Sequence, residues 1–185
     1  GTKNTDATFA GLISGPGSVT KSGTGKWTLT GKIKHTGTTT VNGGILMVTA
    51  DSIKASAAIT VNSGGTLAGT PFITGPVTVN SGGSISPGNN ANQTGTIKLI
   101  NTLDLKPGST TNIKIDRALN LQDSIRVKGQ ALIGGTLNVH LVAGAYAPGN
   151  TFRIFNATSL SGSFSNITPS VPGSGLVWDI SNFET

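Results

Sequence analysis

Apolar and polar residues alternate in short runs along the first half of the chain, and each run is cut off by glycine, proline or a Ser/Thr cluster. In Lys26-Trp27-Thr28-Leu29 the apolar side chains fall on every second position, and Ile59-Thr60-Val61 and Val77-Thr78-Val79 repeat the pattern. A period of two marks a strand with one buried and one polar face. Strands are expected at 9–13, 26–30, 45–48, 59–61 and 77–79, with Pro71, Pro76 and Pro87 confined to the gaps between runs. From residue 96 the runs lengthen, and strands are expected at 96–100, 102–105, 110–115, 124–128, 136–141 and 151–155. A helical turn or looped corner is read at 50–58, and a second helical turn at 117–123.

Superimposed on this alternation is a repeated phrase. Thr40-Val41-Asn42-Gly43-Gly44-Ile45-Leu46 returns as Thr60-Val61-Asn62-Ser63-Gly64-Gly65-Thr66-Leu67 and as Thr78-Val79-Asn80-Ser81-Gly82-Gly83-Ser84-Ile85, with a weaker echo at Leu132-Ile133-Gly134-Gly135-Thr136-Leu137. A period near 20 residues is that of a stacked solenoid. Thr-Val ends one strand, the glycines turn the chain at positive φ, and Thr-Leu or Ser-Ile begins the next. Asn42, Asn62 and Asn80 stand at one position before the glycines. They are expected to stack as a ladder of side-chain amides, with Gly43, Gly44, Gly64, Gly65, Gly82 and Gly83 as the structural turn residues.

The expected architecture is therefore all-β, a single-stranded parallel β-helix forming one continuous solenoid over 1–185. Short glycine-rich rungs occupy 9–90 and longer-stranded rungs 91–145. Residues 146–185 form a C-terminal cap region, where Tyr146, Phe152, Phe155, Phe164, Trp178 and Phe183 are concentrated. A solenoid leaves an open strand edge and an apolar cross-section at its end, and bulky side chains are suited to cover them.

Composition narrows the chemistry. Of 185 residues 27 are glycine and only 11% are charged, so the polar surface must be built from Thr, Ser and Asn. The chain has no cysteine, which removes disulfides, thiolate metal sites and thiol nucleophiles. No apolar run is long enough to span a bilayer as a helix. The net charge is +6, yet the basic residues look scattered apart from Lys21, Lys26, Lys32 and Lys34, with no stripe interleaved with aromatics. Nucleic acid is not an expected partner.

No catalytic constellation emerges. The acids Asp6, Asp51, Asp104, Asp116, Asp123, Asp179 and Glu184 are spread along the chain. Only Asp104 and Asp116 have a spacing that suggests neighbouring strands, as paired carboxylates for glycoside cleavage would require. Asp116, Arg117, Asp123 and Arg126 are expected to form surface ion pairs at a loop. His35 and His140 lack metal-binding spacing, so no metal or cofactor is expected. Trp27 with His35 and Lys26 is the best candidate for an exposed sugar- or anion-contacting patch, against the alternative that Trp27 packs inward beside Leu29.

Lys21-Ser22-Gly23-Thr24-Gly25-Lys26-Trp27-Thr28-Leu29-Thr30-Gly31 and Thr39-Thr40-Val41-Asn42-Gly43-Gly44-Ile45-Leu46 closely resemble the autotransporter-associated β-strand repeat of bacterial passenger domains, with His35 in a place usually taken by Tyr. Ser86-Pro87-Gly88-Asn89, Gly134 to Val139, Tyr146-Ala147-Pro148-Gly149 and Leu160-Ser161-Gly162-Ser163-Phe164 are similar to the region that precedes the translocator in autotransporters. The resemblance implies a right-handed parallel β-helix on a secreted or surface-displayed bacterial protein, and carries no catalytic residues. The function expected is a noncatalytic structural or adhesive segment. Its partners would be a host or extracellular glycan or protein surface, or other copies of itself. The alternatives are a carbohydrate-binding module and a polysaccharide-active β-helix enzyme.

Overall fold

The computed structural model describes residues 4–49, 53, 57–90 and 92–180. Every regular element in them is a strand, and the chain winds through them in successive three-sided coils. The first coil is β1 (Ala7–Phe9), β2 (Ile13–Gly15) and β3 (Val19–Lys21); the second is β4 (Lys26–Leu29), β5 (Ile33–His35) and β6 (Thr39–Val41). The third contains β7 (Gly44–Val48), a single bridging residue Ile53, and β8 (Ile59–Val61). Then come β9 (Gly65–Gly69), β10 (Phe72–Ile73) and β11 (Val77–Val79), followed by β12 (Ser84–Pro87), β13 (Thr96–Leu99) and β14 (Leu103–Leu105). The last coils hold β15 (Thr110–Asp116), the small β16 (Leu121–Gln122), β17 (Ser124–Ile133), β18 (Thr136–Ala143), β19 (Phe155–Gly162) and β20 (Asn166–Thr168).

Each strand except β16 pairs in parallel with its counterpart one coil away, which produces three faces. Face one is the continuous order β1-β4-β7-β9-β12-β15-β18-β20. Face two runs from β2 through β5, Ile53 and β10 to β13 and the first part of β17. Face three runs β3-β6-β8-β11-β14 and continues on the second part of β17 and on β19. Strands β17 and β19 bend across both faces, with a register irregularity between Val127 and Gln130. The fold is thus an all-β parallel β-helix.

Inward positions stack in columns. Ile33, Ile53, Ile73, Leu99 and Val127 form one, and Val41, Val61, Val79 and Leu105 another; all are at most 3% exposed. Burying such a side chain contributes about 1.5–3 kcal/mol, so each coil is held chiefly by what lies above and below it. The coil length is uneven: stacked residues are 20 apart at Asn42 and Asn62, 18 at Asn62 and Asn80, 26 at Asn112 and Asn138, and 30 at Asn138 and Thr168.

Several local expectations need correction. The run 9–13 is two strands, because Ala10 to Leu12 make the corner between face one and face two. Residues 117–120 form a turn, with Asn120 at φ 53°, leading into the antiparallel β16. Residues 151–154 precede β19 without joining a strand. The corner expected at 50–58 falls largely outside the described residues, as do Asp51, Phe183 and Glu184.

Candidate functional site

In its second and third copies the repeated corner uses its two glycines for different reasons, whereas in the first Gly44 both has positive φ and lies against the preceding coil. Gly64 has φ +78° and a Cβ there would meet open space, so the backbone conformation alone requires glycine. Gly83 is not in the left-handed region, but a Cβ on it would lie 2.7 Å from the Val61 carbonyl oxygen of the preceding coil. One glycine turns the chain and the next lets coils stack. The asparagines before them are linked: Asn62 Nδ2 donates to Asn42 Oδ1 at 2.7 Å, and Asn80 Nδ2 to Asn62 Oδ1 at 2.8 Å. A second ladder, not anticipated from the sequence, stands on face one, where Asn138 donates to Asn112 at 2.8 Å and the Thr168 hydroxyl donates to Asn138 at 2.9 Å. Its signal was available in the shared alternation of 110–115 and 136–141, but the 26-residue spacing lies outside the short period.

The proposed patch of Trp27, His35 and Lys26 does not assemble. Trp27 lies in register with Leu46 and packs against the core. His35 is 2% exposed on face two, with Nε2 2.8 Å from the Thr39 hydroxyl, and burial holds its pKa below the ordinary value. Lys26 sits on face one and pairs with Asp6 at 3.4 Å. Lys21 is also buried. It occupies a column otherwise filled by Val41, Val61 and Val79, and its ammonium turns into the corner to donate to the carbonyls of Ser22, Gly23 and Gly43 at 2.8–3.0 Å.

Asp104 and Asp116 are not a pair. Asp104 is on face three and bonds Lys106 at 2.6 Å, whereas Asp116 ends β15 on face one and accepts from the Leu119 amide. Asp123 is not at the surface either. It is fully buried, with Oδ2 2.7 Å from Lys114 Nζ and Oδ1 accepting from the Gly95 amide at 2.7 Å. Lys114 also donates to the Pro87 carbonyl at 2.5 Å. Desolvation pushes the Asp123 carboxyl upward while the hydrogen bonds from Lys114 and Gly95 oppose it. This ion pair ties three segments together, the start of the loop after β12, the strand β15 and the entry to β17. Among the described residues no group of His, Cys, Asp and Glu is placed to hold a metal ion.

Beyond the main core, Ile113, Ile115, Leu137 and Val139 form a second cluster against which Tyr146, Phe152, Phe164 and Trp178 pack. Tyr146 donates to the Ile115 carbonyl at 2.8 Å and Trp178 Nε1 to that of Pro169 at 2.8 Å. They line part of an apolar cavity of about 510 Å³.

The outward positions differ from face to face in charge. On face one and face three each lysine in a strand is neutralised or occupied: Lys26 by Asp6, Lys114 by Asp123, and Lys21 by carbonyls. Lys106, just past β14, is held by Asp104. Among the described residues face two carries exposed Lys32, Lys34, Lys98, Arg126 and Lys128, and none of its strands contains an acid. Some of the basic residues that look scattered in the linear sequence thus share one face. Register gathers them: Lys98 lies directly beside Arg126.

Comparison with known proteins agrees with this geometry. Residues 19–48, which span β3 to β7, match the passenger-associated-transport-repeat family. The chain is similar to the adhesin BmaC autotransporter of Brucella suis biovar 1 (strain 1330), with 40% identity over 155 residues, and to an extracellular serine protease of Serratia marcescens, with 32% identity over 171 residues. These matches take in 82% and 86% of this chain but only 4% and 16% of those proteins. No helix among the described residues is long and apolar enough to cross a membrane. The chain is thus a parallel β-helix that carries a passenger-associated transport repeat at 19–48 and is similar over most of its length to parts of an autotransporter adhesin and an extracellular protease, which indicates a secreted or cell-surface location.

Proposed function

We propose that the segment is noncatalytic and adhesive, a stiff rod whose polar faces contact an extracellular glycan or protein surface. The observation that carries this reading is the in-register row Thr20, Thr40, Thr60 and Thr78 on face three, a flat repeating array of polar side chains held at strand spacing, about 4.8 Å. Such an array suits contact with an extended partner better than it suits a reacting centre, which needs convergent acids or a nucleophile beside a base. The similarity to a protein named as an adhesin supports the same reading. In this proposal the aromatic side chains of 146–178 act as the cap of the rod, shielding Ile113, Ile115, Leu137 and Val139 from water.

The test is to incubate the purified chain with arrays of extracellular glycans and matrix proteins, and in parallel with soluble polysaccharides and protein substrates. Retention without product formation is expected. Turnover abolished by Asp104→Asn or Asp116→Asn would overturn the noncatalytic reading.

A further inference from the structure

Five exposed basic residues share one side of the rod. We infer that face two is a binding surface for a linear acidic polysaccharide lying along the helix axis. This inference rests on the adhesive reading and adds to it the face used and the chemical class of the partner.

Lys98 and Arg126 are direct neighbours on adjacent parallel strands, and Lys128 follows Arg126 two positions along, on the same side of β17. Lys32 and Lys34 flank Ile33, whose column leads through Ile53 and Ile73 to Leu99 and Val127. The two cations of the second coil therefore stand over the same two outward rows as Lys98, Arg126 and Lys128. All five side chains are exposed. Coils are separated by about 4.8 Å, and alternate residues in a strand by roughly 6.5 Å. Within Lys32 and Lys34, and within Lys98, Arg126 and Lys128, neighbouring cations therefore lie inside one Debye length at physiological salt, about 8 Å. The two groups are three coils, about 14 Å, apart along the axis, a distance that an extended polymer spans.

The arrangement disfavours the isolated fold, since like charges directly opposite on neighbouring strands destabilise a sheet. Acids relieve this on the other faces, where Asp6, Asp104 and Asp123 each take a lysine. Among the described residues the strands of face two hold no such partner, and an external anion would supply one. Phe72, half-buried and in register with Lys98, adds an apolar surface beside the cations on which a sugar ring can rest. Nucleic acid is a poorer fit. Single strands are held by several aromatic side chains on which successive bases stack, and the outward rows of face two hold one. The secreted or surface location places the chain among extracellular polymers.

The test uses the whole chain and heparin oligosaccharide as the probe, with neutral dextran and single-stranded DNA as comparisons. A face-two variant, Lys34→Gln, Lys98→Gln, Arg126→Gln and Lys128→Gln, is set against a control, Lys106→Gln on face three, after circular dichroism has shown both folded. The wild type is expected to bind heparin with an affinity that falls as salt rises, and dextran far more weakly. The face-two variant should lose roughly a hundredfold in affinity and the control less than about threefold. Equal losses per charge removed in both variants would overturn the inference, because net charge would then suffice. DNA binding as tight as heparin binding would overturn the polysaccharide assignment. Retention of the wild type on a neutral glycan or protein without heparin binding would sink this inference and leave the adhesive reading standing. Retention on nothing would sink both.

Discussion

The short coils before Pro87 and the long coils after it solve the same stacking problem differently. In the short coils the chain has no slack. Corner glycines let backbones touch, the inward valines and isoleucines superimpose, and Asn42, Asn62 and Asn80 link across the corner. In the long coils there is surplus chain, and it has to be tied down. The loop after Pro87 and the β15–β16 turn are anchored on a buried Lys114–Asp123 pair, and the extended ends of β15 and β18 acquire their own apolar cluster. A solenoid can be specified by repetition when the coil is short, whereas a longer coil needs polar anchors that have no repeat.

The contrast predicts where each half is most vulnerable. Asp123→Ala leaves Lys114 buried without its counter-charge and should cost about 3–5 kcal/mol, measured by denaturant unfolding. Replacing both by well-packed apolar residues, as in Lys114→Met with Asp123→Leu, should recover much of that loss. A small effect of Asp123→Ala would show that the long coils do not depend on the pair.

Next in size is the corner of the short coils. Gly83→Ala drives a Cβ against the Val61 carbonyl and should cost about 2–3 kcal/mol, more than Gly64→Ala, which meets open space and incurs only the penalty of positive φ, about 1 kcal/mol. Equal losses would remove the distinction between the turning and the stacking glycine. Asn62→Ala breaks two ladder bonds and should cost about 1–2 kcal/mol. Asn138→Ala does the same on the second ladder, and a markedly larger loss there would mean that ladders matter more where coils are long.

The smallest effect is one of pH. His35 is held neutral by burial, so below its unfolded value of 6.5 the unfolded chain binds the proton more readily than the folded one. The stability associated with the neutral ring is fully present above pH 6.5 and is lost as pH falls through the window beneath it. The melting temperature of His35→Gln should change less between pH 7 and pH 5 than that of the wild type; an unchanged difference would remove His35 from the acid response.

The short coils were legible in the sequence because Val41, Val61 and Val79, together with the Asn-Gly phrases, fall at the same point of each turn. The long coils were legible as strands only. Lys114 sits between Ile113 and Ile115, so alternation assigns it to the solvent side, and nothing local shows that the loop after Pro87 folds over it. His35 and Lys21 mislead in the same way, since both occupy inward positions where a polar side chain is unexpected. The basic face was hidden because Lys98 and Arg126 become neighbours through a 28-residue coil, the same interval that joins Thr96 to Ser124. Charge that is evenly spread in one dimension is sorted by uneven turns in three.

The asparagine ladder also has a direction. At each step the later side chain gives its amide hydrogen and the earlier one receives it, so the two ends of the row are chemically unlike. In register beyond Asn80 comes Lys106, which turns aside to Asp104, and before Asn42 comes Ser22. The row is closed at both ends by residues of a different kind. The ladder thus presents an amide donor group at its Asn42 end and an amide oxygen at its Asn80 end, so a further coil joins it on either side through a group of the opposite kind.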